Sequence, residues 1–174
     1  KEEKPQTEQG SVEFKDVSFT YPDGSNDVIS DISFKVNKGE TLAIIGETGS
    51  GKTTIVNLID RLYDASKGEV LVNGVSVKDL KQKTLHSLIG YVPQKGNLFS
   101  GTVRSNIAFS DPSMSEEKIE KAAKIAEADS FISEMPEKYD SPIAAGGTNV
   151  SGGQRQRLCI ARAVAEDPQI LVFD

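Results

Sequence analysis

The stretch "GETGSGKTT", Gly46 to Thr54, carries the spacing Gly-x-x-x-x-Gly-Lys-Thr, which suits one kind of chemistry, the holding of phosphate. Glycines at 46, 49 and 51 let the backbone wrap with its N–H groups turned inward, while Glu47, Thr48 and Ser50 complete the loop and Thr54 ends it. The positive end of a following helix favours an anion at the same place. Lys52 is then placed to reach the β and γ phosphates of a nucleotide, and Thr53 to hold Mg²⁺ through its hydroxyl. A strand pattern before the loop and a helix pattern after it make a nucleotide site the expectation.

Two further groups suit the same chemistry. Asp174 closes the apolar run "QILVFD", and in nucleotide-binding folds an aspartate at such a strand end holds the water shell of Mg²⁺. In "NVSGGQRQRL", Ser151, Gly152 and Gly153 stand where a helix begins, so backbone N–H groups there face outward to an anion, although a helix cap alone would use the same residues. The one histidine, His86 in "KTLHSLIG", reads as a helix-surface residue.

These groups need elements to position them. "VEFKDVSF" and "ISDISFKV" alternate apolar and polar residues around the turn-forming "YPDGSND", which predicts an antiparallel β lobe. "TLAIIG" is wholly apolar and predicts a strand buried on both faces of a parallel sheet, delivering the loop at its end. Residues 52 to 62 place Ile55, Leu58, Ile59 and Leu62 at helical spacing, and "GEVLVNGVSV" holds a hairpin about Asn73-Gly74. "IGYVP" is a short strand closed by Pro93. A helix over 115–127 opens on Ser115 as its cap and repeats apolar residues from Ile119 to Ala126. Another runs from about Gly153 to Glu166, stopped by Pro168, before "QILVFD" returns to a buried strand.

The totals narrow the classes. A chain of 174 residues is the length of one domain, and a net charge of −6 gives no electrostatic footprint for nucleic acid. A single cysteine, Cys159, cannot form an internal disulfide, and no apolar run is long enough to cross a bilayer as a helix. Residues 1–10, "KEEKPQTEQG", read as a solvated polar linker without the apolar stretch of a secretory signal.

Taken together, Gly46–Thr54, Val150-Ser151-Gly152-Gly153-Gln154 and Asp174 resemble the nucleotide-binding domain of ATP-binding cassette (ABC) transporters, from about Ser11 to the last residue. The resemblance implies an α/β fold, a P-loop NTPase core with an antiparallel β lobe and a helical subdomain over about 95–165 that carries the signature. It implies ATP and Mg²⁺ as ligands, with Lys52, Gln94 and Asp174 catalytic and with Thr53, Gln94 and Asp174 at the metal. Tyr21 in "FTYPDG" matches the aromatic residue that stacks on adenine, and Gln94 in "YVPQKGNLF" matches the Q-loop glutamine. Two such domains pair head to tail in this family, so Ser151, Gly152, Gly153 and Gln154 are expected to serve the partner's nucleotide. "NLFSGTVRSNI" and "RLYDASKGEV" look like the exporter branch, which implies a transmembrane partner domain and a place on the cytoplasmic face of a membrane.

Some of the pattern departs. Asp174 precedes the position of the family's catalytic glutamate, and no switch histidine follows the signature. These 174 residues are therefore expected to be a partial domain that does not hydrolyse ATP alone, and whose sheet lacks a strand beside the Gly46 loop. Ala145 in "AAGGTN" stands where exporters often carry a glutamate. An inactive or regulatory module of a heterodimeric transporter and a soluble ABC-type ATPase stay open as alternatives, and a glutamate at position 175 would favour hydrolysis.

Overall fold

A computed structural model describes residues 6–174 and divides the chain into two compact units. The first runs to Ile89 and includes Asp174. It opens with β1 (Val12–Phe19) and β2 (Ile29–Val36), which pair antiparallel with Phe14 opposite Phe34, their rings stacked 4.6 Å apart. Next comes α1 (Lys52–Ile59), then β3 (Lys67–Val72) and β4 (Val75–Ser76), completing a four-stranded sheet in the order β2-β1-β3-β4. The expected β lobe is thus present, with Phe14, Val17, Val72 and, from α1, Leu58 buried in its core. The β3–β4 turn has positive φ at both Asn73 (53°) and Gly74 (75°), the type I′ geometry that a two-residue hairpin loop favours. The last element of the unit is α2 (Gln82–Leu88).

Three expectations change in this unit. Residues 41–45 form no strand: Leu42, Ile44 and Ile45 are exposed, Ile45 at 94%. A strand exists only by bonding a neighbour, and among the described residues none pairs with this run. The helix after the loop stops at Ile59, because Arg61 turns left-handed (φ 54°) and Leu62 N–H bonds back to Asn57 O at 2.8 Å, leaving Leu62 outside. Residues 6–9 are exposed, as a solvated segment requires, yet they are tied down: Thr7 and Glu8 N–H donate to Asn73 O, and Gly10 N–H donates to the buried Asn73 side chain at 2.7 Å. The rest of the expected linker lies outside the described residues.

The second unit, Gly90–Phe173, contains most of β5 (Ile89–Val92), then β6 (Gly101–Thr102), α3 (Val103–Ile107), α4 (Glu116–Ile125), α5 (Asp129–Glu134), β7 (Pro142–Ile143), α6 (Gly152–Val164) and β8 (Ile170–Phe173). Its core joins Leu98, Val103, Ile107, Ile119, Ile132 and Leu158, drawn from the helices and the loop before β6. Ser115 caps α4 by accepting from Lys118 N–H, as its position predicts. β8 pairs with β5, but Leu171 and Phe173 are 46% and 60% exposed, so Ile170–Phe173 is a strand with one open face rather than a buried one. Side chains alternate between the two faces of a strand, and the face that carries Leu171 and Phe173 is the uncovered one.

Candidate functional site

The Gly46–Thr54 loop ends in the first turn of α1. Gly51 is the N-cap, left-handed at φ 95°, and a Cβ there would lie 2.7 Å from Ile29 Cγ2, so only glycine fits. Among the described residues no side chain caps α1 at its N-terminus. Lys52 folds back over the loop: its ammonium donates to Gly46 O at 2.5 Å, Glu47 O at 2.6 Å and Ser50 Oγ at 3.3 Å. Those three bonds use all of its donors, and they place the positive charge inside the curve of the loop. A turn bond from Ser50 N–H to Glu47 O, 3.1 Å, closes the outer side. Glu47 and Thr48 are exposed, and Gly49 sits at φ 82° in open space.

Thr53 Oγ1 lies 3.2 and 3.3 Å from the two carboxylate oxygens of Asp174, a residue 121 positions away. A hydroxyl and a carboxylate meeting beside a lysine-lined loop are hard oxygen donors. Mg²⁺ is held by one or two carboxylates together with water and phosphate oxygens, so the pair fits that ion. Among the described residues, no cluster of three or more His, Cys, Asp or Glu side chains could hold a metal.

Tyr21 follows β1 and reaches the same helix. Its hydroxyl is 3.0 Å from Thr54 Oγ1, and its ring meets Phe19 (4.8 Å, 81°) and Tyr63 (5.1 Å, 87°) edge to face. His86 is exposed on α2, its Nε2 3.0 Å from the Asp60 carbonyl, a surface role as expected.

In the second unit Ser151 is the N-cap of α6. Its hydroxyl accepts from Gln154 N–H at 3.1 Å, and the Gln154 side chain accepts from Ser151 N–H at 3.0 Å, a reciprocal capping box. Gly152 and Gly153 have no neighbouring atom where a Cβ would stand, so the first turn of α6 is open. Gln94 is exposed on the bend after β5. Sequence reasoning missed the node at Arg162, whose guanidinium donates to Asn106 O (2.8 Å), Asn106 Oδ1 (2.8 Å) and Asn97 O (3.0 Å) and lies 5.1 Å from the Phe99 ring. Its partners lie 56 and 65 positions away, a separation that no local pattern signals.

Against known families, residues 29–174 match the model described as "ABC transporter". The chain belongs to the ABC transporter family. Among its relatives is the ATP-dependent lipid A-core flippase of Desulfotalea psychrophila, 45% identical over 164 residues and 94% of this chain. Another is the ABC transporter B family member 13 of Arabidopsis thaliana, 43% identical over 165 residues and 95% of this chain. A solved structure of a bacterial Atm1-family ABC exporter with ATP bound superposes with a TM-score of 0.89 at 36% identity over 97% of this chain. The chain spans 28% of the length of the flippase, 13% of the plant protein and 30% of the solved exporter.

The fold is accordingly that of the ABC ATPase, a P-loop NTPase core with an antiparallel β lobe and helices that carry the signature. Within this ABC transporter ATP-binding domain no helix among the described residues is long and apolar enough to cross a membrane.

Proposed function

We propose that this chain binds Mg·ATP at the Gly46–Thr54 loop and, in the complete protein, hydrolyses it in a head-to-tail dimer to power export across a membrane. The observation that carries this reading is the meeting of Thr53 with Asp174 at the loop that encloses the Lys52 ammonium. Lys52 exchanges carbonyl partners for β and γ phosphate oxygens, and the open N–H groups of α1 add to the hold. Thr53 and Asp174 would hold the metal, which when bound would neutralise charge on the phosphate oxygens. Tyr21 presents its ring to the base. Gln94 is assigned to the metal and the attacking water.

Ser151, Gly152, Gly153 and Gln154 serve the nucleotide of the partner domain, and the open first turn of α6 supports that assignment. Similarity to exporters supports a transmembrane domain as the further partner and the cytoplasmic face of the membrane as the location.

The test is ATP hydrolysis by the complete protein in lipid vesicles, with Lys52→Ala and Ser151→Ala compared to the parent. Each variant is expected to lose about 100-fold in rate, the usual consequence of removing one stabilising donor. Hydrolysis unchanged in both would contradict the reading.

A further inference from the structure

Tyr21 is held from two sides by groups that α1 positions. Its hydroxyl meets Thr54 in the first turn of the helix, and its ring meets the ring of Tyr63, which follows the helix's left-handed C-terminal turn. Tyr63 also lies 5.5 Å from Phe19, itself buried and set at 81° to Tyr21, so the three rings form one cluster. The backbone that presents Tyr63 is fixed in turn. The Arg61 guanidinium donates to Val77 O at 3.0 Å, to Leu80 O at 3.3 Å and to Asp64 at 3.1 Å. Neither Phe19 nor Tyr63 is stacked on Tyr21, since both stand nearly perpendicular to it.

From this we infer that Tyr63 is a positioning residue for nucleotide binding: edge-on contact with Tyr21 sets the angle at which that ring meets a base. The inference rests on the reading of Tyr21 as the base platform. It deepens that reading, because α1 then carries both the phosphate loop and the support of the base subsite. Base and phosphates are held at one fixed spacing by one element. Tyr63 is 38% exposed and its ring stands at 87° to that of Tyr21, so the ring is the part that acts. An edge-on aromatic pair contributes a factor of roughly three to ten in an equilibrium constant. Because every base has a flat π face, the effect is common to ATP and GTP and absent for a ligand with no base.

The experiment is a calorimetric titration of the full chain with Mg·ATP, Mg·GTP and Mg·tripolyphosphate, for the parent, Tyr63→Ala, Tyr63→Phe and Tyr21→Ala. Circular dichroism checks that each is folded. Tyr63→Ala is expected to weaken both nucleotides about three- to ten-fold and to leave tripolyphosphate unchanged, with Tyr63→Phe restoring the parent values. Parent-like nucleotide binding by Tyr63→Ala, beside a clear loss in Tyr21→Ala, overturns the role of Tyr63 alone. Parent-like binding by Tyr21→Ala overturns the base platform and the inference with it. An equal loss for tripolyphosphate makes Tyr63 a residue of the fold and overturns its positioning role, and a parent that binds none of the three overturns both.

Discussion

The Thr53 hydroxyl and the Asp174 carboxylate stand 3.2 Å apart at the mouth of the loop that Lys52 closes. Neither residue can bring the other there by local structure, since 121 positions separate them. This hydroxyl and carboxylate from unrelated segments are the pair proposed above to hold Mg²⁺.

Removing either oxygen donor should therefore act on the metal and not on phosphate as such. Thr53→Val and Asp174→Asn are each expected to weaken Mg·ATP binding about tenfold or more while leaving binding of ATP in the presence of a chelator near the parent value. Titration with and without Mg²⁺ reads the difference. A loss of equal size in both conditions would assign the pair to the fold.

Gly51 allows a test that concerns the backbone alone. Its φ of 95° and the 2.7 Å approach of a Cβ to Ile29 leave no room for a side chain. Gly51→Ala is expected to cost about 1–3 kcal/mol of stability from strain. Urea unfolding measures it, and a neutral result would mean that the loop adopts another conformation.

Arg162 holds two carbonyls and one side-chain amide oxygen in the second unit, and its partial burial pulls its pKa below the usual arginine value. Arg162→Leu removes these three bonds, although Asn106 Oδ1 still accepts from Phe99 N–H and Asn97 O from the Cys159 thiol. A loss of about 3 kcal/mol is expected, with Arg162→Lys recovering only part because an ammonium lacks the planar fork. Chemical unfolding of both variants checks the order.

Asp60 makes a pH prediction. Burial raises its carboxyl above the ordinary 3.8, while the nearby His86 opposes the shift. A raised pKa means that the folded chain binds this proton more tightly than the unfolded chain. Stability from this group is therefore present in acid and falls as pH rises from 3.8 through the folded value. Asp60→Asn is expected to melt at or above the parent temperature at pH 7, and the two should converge below pH 3.8. A gap that widens in acid would reverse the sign and reject the assignment.

How far the sequence could be read depended on the range of the contacts involved. The loop at Gly46, the Asn73-Gly74 turn and the Ser115 cap are local chemistry, and each is found where spacing puts it. The run at 41–45 is apolar enough for a buried strand, yet a strand is a property of two segments, and composition cannot supply the neighbour. The same limit hid the docking of residues 6–10 on Asn73 and the hydroxyl contact between Tyr21 and Thr54, 33 positions apart. At the signature, Ser151 was legible as a cap, whereas the reciprocal bond from Gln154 depends on a side-chain conformation that no spacing dictates.

The most direct measurement is a calorimetric titration of the chain with Mg·ATP, repeated with Lys52→Ala. Saturable binding that is lost in the variant is the expected result, because the ammonium held at the loop is the charge proposed to meet the phosphates. Binding of equal strength in the variant, or none in a folded parent, would contradict the nucleotide site at Gly46–Thr54.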